Sequence, residues 1–559
     1  MKAETQAFVN RVYASSWSSG IMGGLLMALS FSPTDLAVLT IPGFMLFMRA
    51  ADRCMTMPQV MYLTFPGFLI WNAITTYWLV FATVPGGIAA ITANAILMTI
   101  PMAFIHKVRR AGFTPVSMAL IVASVWVTYE FAHLQWDLAW PWLVVGNAYA
   151  NWPLVIQYAE VTGSLGISFW VVFSAALLLH PRYLTTEPTP EQLVARALGK
   201  IQFKDSEFVT LSRHIPFFQR FKWSHMLVIL ALPAGSLVFY LAYNPEPVST
   251  TEIVVVQPNY NSYLDAGGYP DATMALESII ALTDQTITDQ TEAVYWPENA
   301  LRSPVFGTRV QFPANRLLQQ TRQWNVPVIT GTSWYHYYED ETLPRVYRTS
   351  ADGRHFNVYN AAIGFYPDGR MYQYRKAKLV PIVERFPFIN TLSYWKNPWF
   401  DWPNLSGYGR GYETVNFLAG SQTSPALVCY DSVFPDWVRR HVQEGAGYVT
   451  IITNDGWWGD TSGHVQHFDF ARIRAIETRR AVVRSANNGI SGMIGPKGEV
   501  LARTDYWVRT ALVLDVPVYE RETMYTRYGD WIGWFSLGLC VLGIIWMPVY
   551  RKSSNFIVD

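Results

Sequence analysis

The sequence predicts a polytopic α-helical membrane domain carrying a layered α/β ectodomain, and three observations predict it. Hydrophobic residues make up 51% of the 559 and charged residues only 15%, against roughly 25% charged in an ordinary soluble protein. The deficit is local: 1–245 is mostly apolar, whereas 250–520 has the mixed composition of a globular domain. Within that second stretch, short β-branched runs alternate with helical patterns, as strands layered with helices do. The breaks place a transmembrane domain of about seven helices over 1–245 and the α/β domain over 246–525. A C-terminal transmembrane helix and tail follow over 526–559.

A bilayer core of about 30 Å needs about 20 apolar residues per helix. Runs near 16–33, 36–50, 60–83, 87–106, 115–134, 163–180, 225–243 and 531–550 are candidates, the second being short and interrupted by Pro42. No small-x-small cleavage pattern precedes Ser32-Pro33-Thr34-Asp35, so the first run reads as a retained span. With eight spans, Lys2, Arg11, Arg49, Arg53, Lys107, Arg109, Arg110, the basic residues from Arg182 to Lys222, Arg551 and Lys552 share one side. The positive-inside rule makes that side cytoplasmic. The α/β domain and segment 135–163, with Trp136, Trp140, Trp142 and Trp152, fall on the other, where tryptophans suit an interfacial belt or the floor of a lipid-facing site.

In the α/β domain strands are expected at 252–257, 293–296, 327–330, 360–365, 426–429, 448–452, 492–494 and 511–514, and helices at 274–288, 314–324, 436–443 and 466–485. A net charge of +1 excludes a nucleic-acid footprint. Three cysteines, two of them beside or within spans, argue against a disulfide framework. Loops 258–272, 333–358 and 386–412, rich in Tyr, Trp and Gly, are candidates for a mobile lid.

Cys429 ends the run Ser424-Pro-Ala-Leu-Val-Cys429 just before a helix expected over 432–443. A thiol at a strand-to-helix junction stands at the top of a sheet, where the helix N-terminus favours its thiolate; a lone cysteine there is more often a buried small hydrophobe. Upstream, Glu298 after Trp296-Pro297 and Lys376 after Tyr374-Arg375 end similar segments. Separately, they suit a helix cap and a solvated charge. Brought together on three successive strand ends, carboxylate, ammonium and thiol are the parts of acyl transfer: a base, an oxyanion stabiliser and a nucleophile.

These residues sit in a longer series: Val254-Val-Val-Gln257, Trp296-Pro-Glu298, Tyr359-Asn360, Lys376-Ala-Lys-Leu-Val-Pro381, Asn454-Asp-Gly-Trp-Trp-Gly459, Gln466-His467 and Asn487-Asn-Gly-Ile490. In that order they resemble the carbon–nitrogen hydrolase (nitrilase) superfamily, which implies an α-β-β-α sandwich. With spans on both flanks, nearly the whole chain resembles the apolipoprotein N-acyltransferase family of bacterial inner membranes. The resemblance implies Glu298 as general base, Lys376 as electrostatic stabiliser and Cys429 as nucleophile, with Glu384, Tyr430 and Asp431 supporting the site. It implies a membrane phospholipid as acyl donor, a diacylglyceryl apolipoprotein as acceptor, a Cys thioester between them, and a monomer whose catalytic domain faces the periplasm. No cofactor and no metal are expected: His464 and His467 have helical spacing without a third ligand. The run Gly407-Tyr-Gly409-Arg-Gly411 reads as a flexible turn and Asn454-Asp455 as scaffold. The motifs leave the substrate-binding residues unidentified.

The chain departs from the family pattern at several places. Asp431 stands where Glu is usual, Pro381-Ile-Val-Glu384 where Pro-Phe-Gly-Glu is common, and Pro258-Asn259 where Gly-Asn is usual; Tyr263 or Tyr269 substitutes for an expected tryptophan. Without the resemblance, Glu384 would read as a surface carboxylate paired with Arg385. Three other readings compete: an amidase using the same trio on a soluble amide, a transporter or receptor with an α/β ectodomain, and a lipid scaffold with a dead enzyme domain. The clearest intramembrane charge for the second is Glu130.

Overall fold

The computed structural model describes residues 2–179, 223–306, 312–395 and 400–555; the basic segment from Arg182 to Lys222 lies outside them. Helices lie in all eight expected spans: Lys2–Leu29, Thr40–Asp52, Met57–Thr76, Val84–Arg109, Pro115–His133, Ala159–Leu178, Trp223–Ala242 and Trp531–Asn555. Local chemistry starts several of them. Thr56 and Gln59 form a capping box ahead of Met57–Thr76, and Thr114 caps Pro115–His133 with proline in the first turn. Val84–Arg109, Pro115–His133, Ala159–Leu178 and Trp223–Ala242 are long and apolar enough to cross a membrane by length and composition. Two expected spans need correction. The 13 residues of Thr40–Asp52 rise only about 20 Å, less than a bilayer core. The run 60–83 breaks after Thr76, before the short helix Leu79–Ala82.

The arginines gather at one end of the bundle. Arg109 makes a two-pronged ion pair with Asp52 (2.6 and 2.7 Å) and donates to Leu179 O. Arg110 donates to Cys54 O, and Arg53 to Ser15 O. At the other end, segment 135–158 is a chain of 3-10 turns, and Glu130 accepts from Val145 N and Trp126 Nε1. Glu130 is therefore an anchor for that segment. Trp142 is buried, whereas Trp136 and Trp152 are exposed, so the tryptophans divide between floor and rim.

The α/β domain is built from two stacked sheets. The larger, eight-stranded sheet runs Thr510–Val518, Ser249–Gln257, Ala293–Tyr295, Val328–Tyr337, His355–Phe365, Arg348–Thr349, with Val305–Phe306 and Met371–Arg375 paired off this path. The five-stranded sheet runs Ala426–Val428, Val449–Thr453, Val482–Ala486, Gly492–Ile494, Val500–Arg503. Strand alternation explains the layers. Val254 and Val256 pack with Ile279 and Leu317 of helices Ala272–Asp284 and Ala314–Trp324, while Ile253 and Val255 join Leu427 and Ile452 between the sheets. The Tyr295 and Tyr448 hydroxyls meet across this interior at 3.1 Å, and Ser485 Oγ donates to Val256 O and Tyr295 O.

Helix Ser462–Thr478 lies between the smaller sheet and the bundle, buried on nearly every side despite its polar composition. Its polar side chains replace water with bundle partners. Gln466 Oε1 accepts from Trp78 and Trp142 Nε1, and its Nε2 donates to Ser32 O and Thr75 O. Glu477 accepts from Ser164 N. The expected helix over 466–485 ends at Thr478, because Arg479 is left-handed (φ 50) and Val482–Ala486 is a strand. Arg479 tolerates that backbone because its guanidinium is bonded to Glu160, Gln157 and Pro496 O. Likewise, 333–358 is largely a hairpin, its ladder running out to Tyr337 opposite Phe356.

Candidate active site

Glu298, Lys376 and Cys429 follow strands Ala293–Tyr295, Met371–Arg375 and Ala426–Val428. These strands are not successive, and the third belongs to the other sheet, yet all three side chains line one cavity of about 430 Å³. Glu298 reaches it through a turn packed on strand Val328–Tyr337. Gly331 N donates to Pro297 O, and a Cβ on Gly331 would stand 2.5 Å from Glu298 Cα. Only glycine permits that approach.

Glu298 Oε1 accepts from Asn360 Nδ2 (2.7 Å) and lies 3.5 Å from Lys376 Nζ; Oε2 accepts from Asn454 N (3.1 Å). Lys376 Nζ donates to Glu384 Oε1 (2.8 Å), which also accepts from Asn360 Nδ2, while Glu384 Oε2 accepts from Val380 N. Glu384 thus belongs to the site, and Arg385 is bonded to Tyr408 O and Asn390 instead. Burial works against the Lys376 charge, but Glu384 and Glu298 overcome it and hold its pKa well above the ordinary value. Burial raises Glu298, aided by Glu384 and opposed by Lys376.

Cys429 opens a 3-10 turn, Cys429–Val433, and has a left-handed backbone (φ 50), a strained conformation for a non-glycine residue. The turn is pinned from both sides. Asp431 Oδ1 accepts from Ala377 N and Lys378 N, and Oδ2 from Tyr374 OH and Val428 N. One buried carboxylate therefore joins the nucleophile's turn to the Lys376 loop, so the shorter Asp still makes its contacts. Its pKa is pushed up to about 6 by burial, against these bonds and Lys376. Tyr430 OH donates to Ala139 O and its ring faces Trp140, tying the turn to the bundle.

The expectation of a helix-stabilised thiolate is corrected. The nine-residue helix Pro435–Gln443 starts six positions beyond Cys429. Burial, then the Glu298 charge, push the thiol well above its ordinary pKa, with Lys376 opposing. A thiol whose pKa is raised in this way needs a base to act as a nucleophile. His467 also has neighbours that spacing concealed: Cys429, Asp455 and His467 offer ligand atoms within 4.8 Å of one another. The histidine and the aspartate are already engaged, His467 Nδ1 with Asp455 Oδ1, Nε2 with Ser432 Oγ, and Asp455 Oδ2 with Arg484. A buried arginine on the carboxylate suits a structural network better than a cation site.

The glycine run is not a flexible turn. Gly411 N donates to Lys376 O, Gly409 N to Val358 O and Tyr408 N to Glu384 O, closing a strap over the Lys376–Glu384 segment. Val383 stands at the usual glycine, and Ile382 takes φ 69, both exposed at the cavity mouth. Tyr263 donates to Trp457 O at the rim, whereas Tyr269 bonds Ser278. Asn360, the bridge between two carboxylates, was not singled out as a site residue from sequence; an asparagine within the apolar run 360–365 was its signal.

The rest of the cavity wall comes from the bundle. Gly86, Gly87, Ala89, Ala90 and Ala93 of Val84–Arg109 share it with Trp142 and Cys429. The two stacked sheets, their covering helices and this shared wall define a carbon–nitrogen hydrolase-fold enzyme carried on a helical membrane domain. The Carbon-nitrogen hydrolase family matches residues 255–524 and the Apolipoprotein N-acyltransferase N-terminal domain matches 23–177. Similar proteins include the apolipoprotein N-acyltransferases of Chlorobaculum tepidum (28% identity over 98% of this chain and 99% of that one) and Geobacter metallireducens (23%, 96% and 95%). Among solved structures, Nit3 of Saccharomyces cerevisiae, a nitrilase-superfamily member, is 15% identical over 49% of this chain and 93% of that one, with a TM-score of 0.35. The chain belongs to the apolipoprotein N-acyltransferase family.

Proposed function

We propose that this protein transfers a fatty acyl chain from a membrane phospholipid to the N-terminal amine of a diacylglyceryl-cysteine apolipoprotein, with Cys429 as nucleophile, Glu298 as general base and Lys376 as oxyanion stabiliser. Glu298 takes the thiol proton as sulfur attacks an ester carbonyl of the phospholipid. The Lys376 ammonium, fixed by Glu384, faces the negative charge that develops on the carbonyl oxygen. Collapse of the tetrahedral intermediate breaks the ester C–O bond; the lysophospholipid oxygen takes the proton from Glu298, leaving a thioester on Cys429. The acceptor's amine then attacks the thioester, Glu298 accepts its proton, and the amide forms as the thiol is restored.

The observation that carries this reading is the shared cavity. A soluble amide needs no wall of membrane-helix glycines and alanines, whereas an acyl chain entering sideways from the bilayer does. That apolar wall also keeps water from the thioester. The arginines at the end of the bundle remote from Cys429 support a catalytic domain on the periplasmic face of a bacterial inner membrane. The protein is taken to act as a monomer. The domains are read as 1–245, 246–525 and 526–559; of the expected lid segment 386–412, residues 408–411 form a strap fixed to the Lys376–Glu384 segment and Val358.

The test is intact-mass analysis of the purified protein with a defined diacyl phospholipid and no acceptor. The expected result is one added acyl mass on the wild type and none on Cys429→Ala. Acylation from a soluble amide but from no phospholipid would make it an amidase and end this reading.

A further inference from the structure

The wall of the cavity facing the bundle includes His133, the last residue of helix Pro115–His133. Trp136 Nε1 lies 2.9 Å from His133 Nδ1. An indole nitrogen can only donate, so Nδ1 is the accepting nitrogen and the neutral ring carries its proton on Nε2. One ring face is stacked on Tyr129, 5.4 Å between centroids. His133 is 8% exposed, and its buried Nε2 has no hydrogen-bond partner among the described residues. Leaving a buried donor unpaired is costly, and native proteins rarely do so without a functional reason. None of the acyl-transfer steps above employs it.

We propose that His133 Nε2–H is a substrate-binding donor for the ester carbonyl of the phospholipid that is not being transferred. The inference rests on the acyl-transfer reading and extends it to how the donor lipid is held. Charge selects the carbonyl over the phosphate. Among the described residues the only lysine or arginine lining the cavity is Lys376, which is committed to Glu298 and Glu384. A neutral N–H in a wall that also holds Leu138, Ala139 and Trp140 matches a neutral carbonyl oxygen better than a phosphate anion. With the reacting carbonyl at Cys429 and its chain along Gly86–Ala93, the lipid's second ester is the remaining acceptor of the glycerol unit. Trp136 is then a positioning residue: its N–H holds the tautomer that donates into the cavity.

Single-turnover acylation of Cys429, followed by intact mass on the full-length protein in nanodiscs, tests this. The donors are a diacyl phospholipid and its two analogues, each with one ester replaced by an ether. His133→Phe is expected to raise the half-saturating diacyl mole fraction about fivefold, the worth of one hydrogen bond, with the maximal rate within twofold. His133→Gln, which restores a donor, is expected to recover most of that loss, and Trp136→Phe to shift saturation in the same direction. For the ether analogue that still acylates Cys429, wild type and His133→Phe are expected to saturate alike. Unchanged diacyl saturation in His133→Phe would overturn the proposal. So would an equal penalty on the diacyl and ether lipids, which would move the acceptor to the phosphate. Absence of acylation in the wild type would instead refute the underlying function.

Discussion

Replacing Gly331 by alanine isolates the placement of Glu298 from everything else in the site. The added Cβ meets Glu298 Cα at 2.5 Å, Asn299 N at 2.7 Å and Pro297 O at 2.9 Å, all backbone atoms that no rotamer change can clear. Reaching an ordinary contact of 3.4 Å requires the turn and strand Val328–Tyr337 to part by about 0.9 Å, the difference between two distances in the same geometry. Overpacking of this kind costs about 1–3 kcal/mol of stability. A displacement of about 1 Å at a reacting group costs about 100-fold in rate. Gly331 does not line the cavity, so lipid saturation is expected to stay near the wild-type value while the maximal rate of Cys429 acylation falls about 100-fold. Rapid-quench intact-mass measurements over a range of phospholipid mole fractions separate the two. A folded Gly331→Ala protein acylating within threefold of wild type would refute the claim that this close approach places the base.

Two further outcomes follow from the buried polar groups. Glu298 acts in its ionised form, and burial with the neighbouring Glu384 charge raises its pKa above the ordinary 4.5, so Cys429 acylation is expected to fall as pH drops through a midpoint above 4.5. That midpoint belongs to the Glu298–Lys376–Glu384 cluster as a whole, and a pH–rate profile with a midpoint at or below 4.5 would contradict the assignment. Gln466→Leu strands two indole N–H groups and two carbonyls at the junction of helix Ser462–Thr478 with the bundle. At about 1 kcal/mol for each orphaned group, the loss is on the order of 4 kcal/mol, seen as a lower thermal unfolding midpoint in detergent; an unchanged midpoint would show that the junction does not rest on this side chain.

Much of the architecture was legible because each level of signal is local. An apolar stretch of bilayer length announces a helix whatever surrounds it, and a helix lies in each of the eight runs, though one is short and one is broken after Thr76. Helix Ala314–Trp324 has the expected bounds, as its pattern ends at Asn325 in a left-handed cap. The misses share a cause as well. Val482–Ala486 continued a helical pattern in sequence, but the smaller sheet needed a central strand there, and the Arg479 side chain at the turn bonds Glu160 of a distant helix and Gln157 just before it. The length of Thr40–Asp52 could not be read from hydropathy because its end is set by Asp52 pairing with Arg109.

The same division holds at the site. Glu298, Lys376 and Cys429 were readable as residue types ending apolar segments, since strand ends and turns are encoded by neighbours in the chain. Which groups touch was not, because contact depends on two sheets stacking and on a helical bundle closing against one of them. Asn360 bridging Glu298 to Glu384, Asp431 clasping the Lys376 loop, and the membrane-helix wall around Cys429 all join residues tens to hundreds of positions apart. The primary structure by itself determined where the apolar helices lie, the layered domain and the chemical inventory, because short-range periodicity and residue chemistry suffice for these. Only the tertiary structure decided that burial and Glu298 push the thiol pKa up, that Glu384 faces inward and that the cavity opens along a membrane helix, because burial and charge proximity are properties of packing.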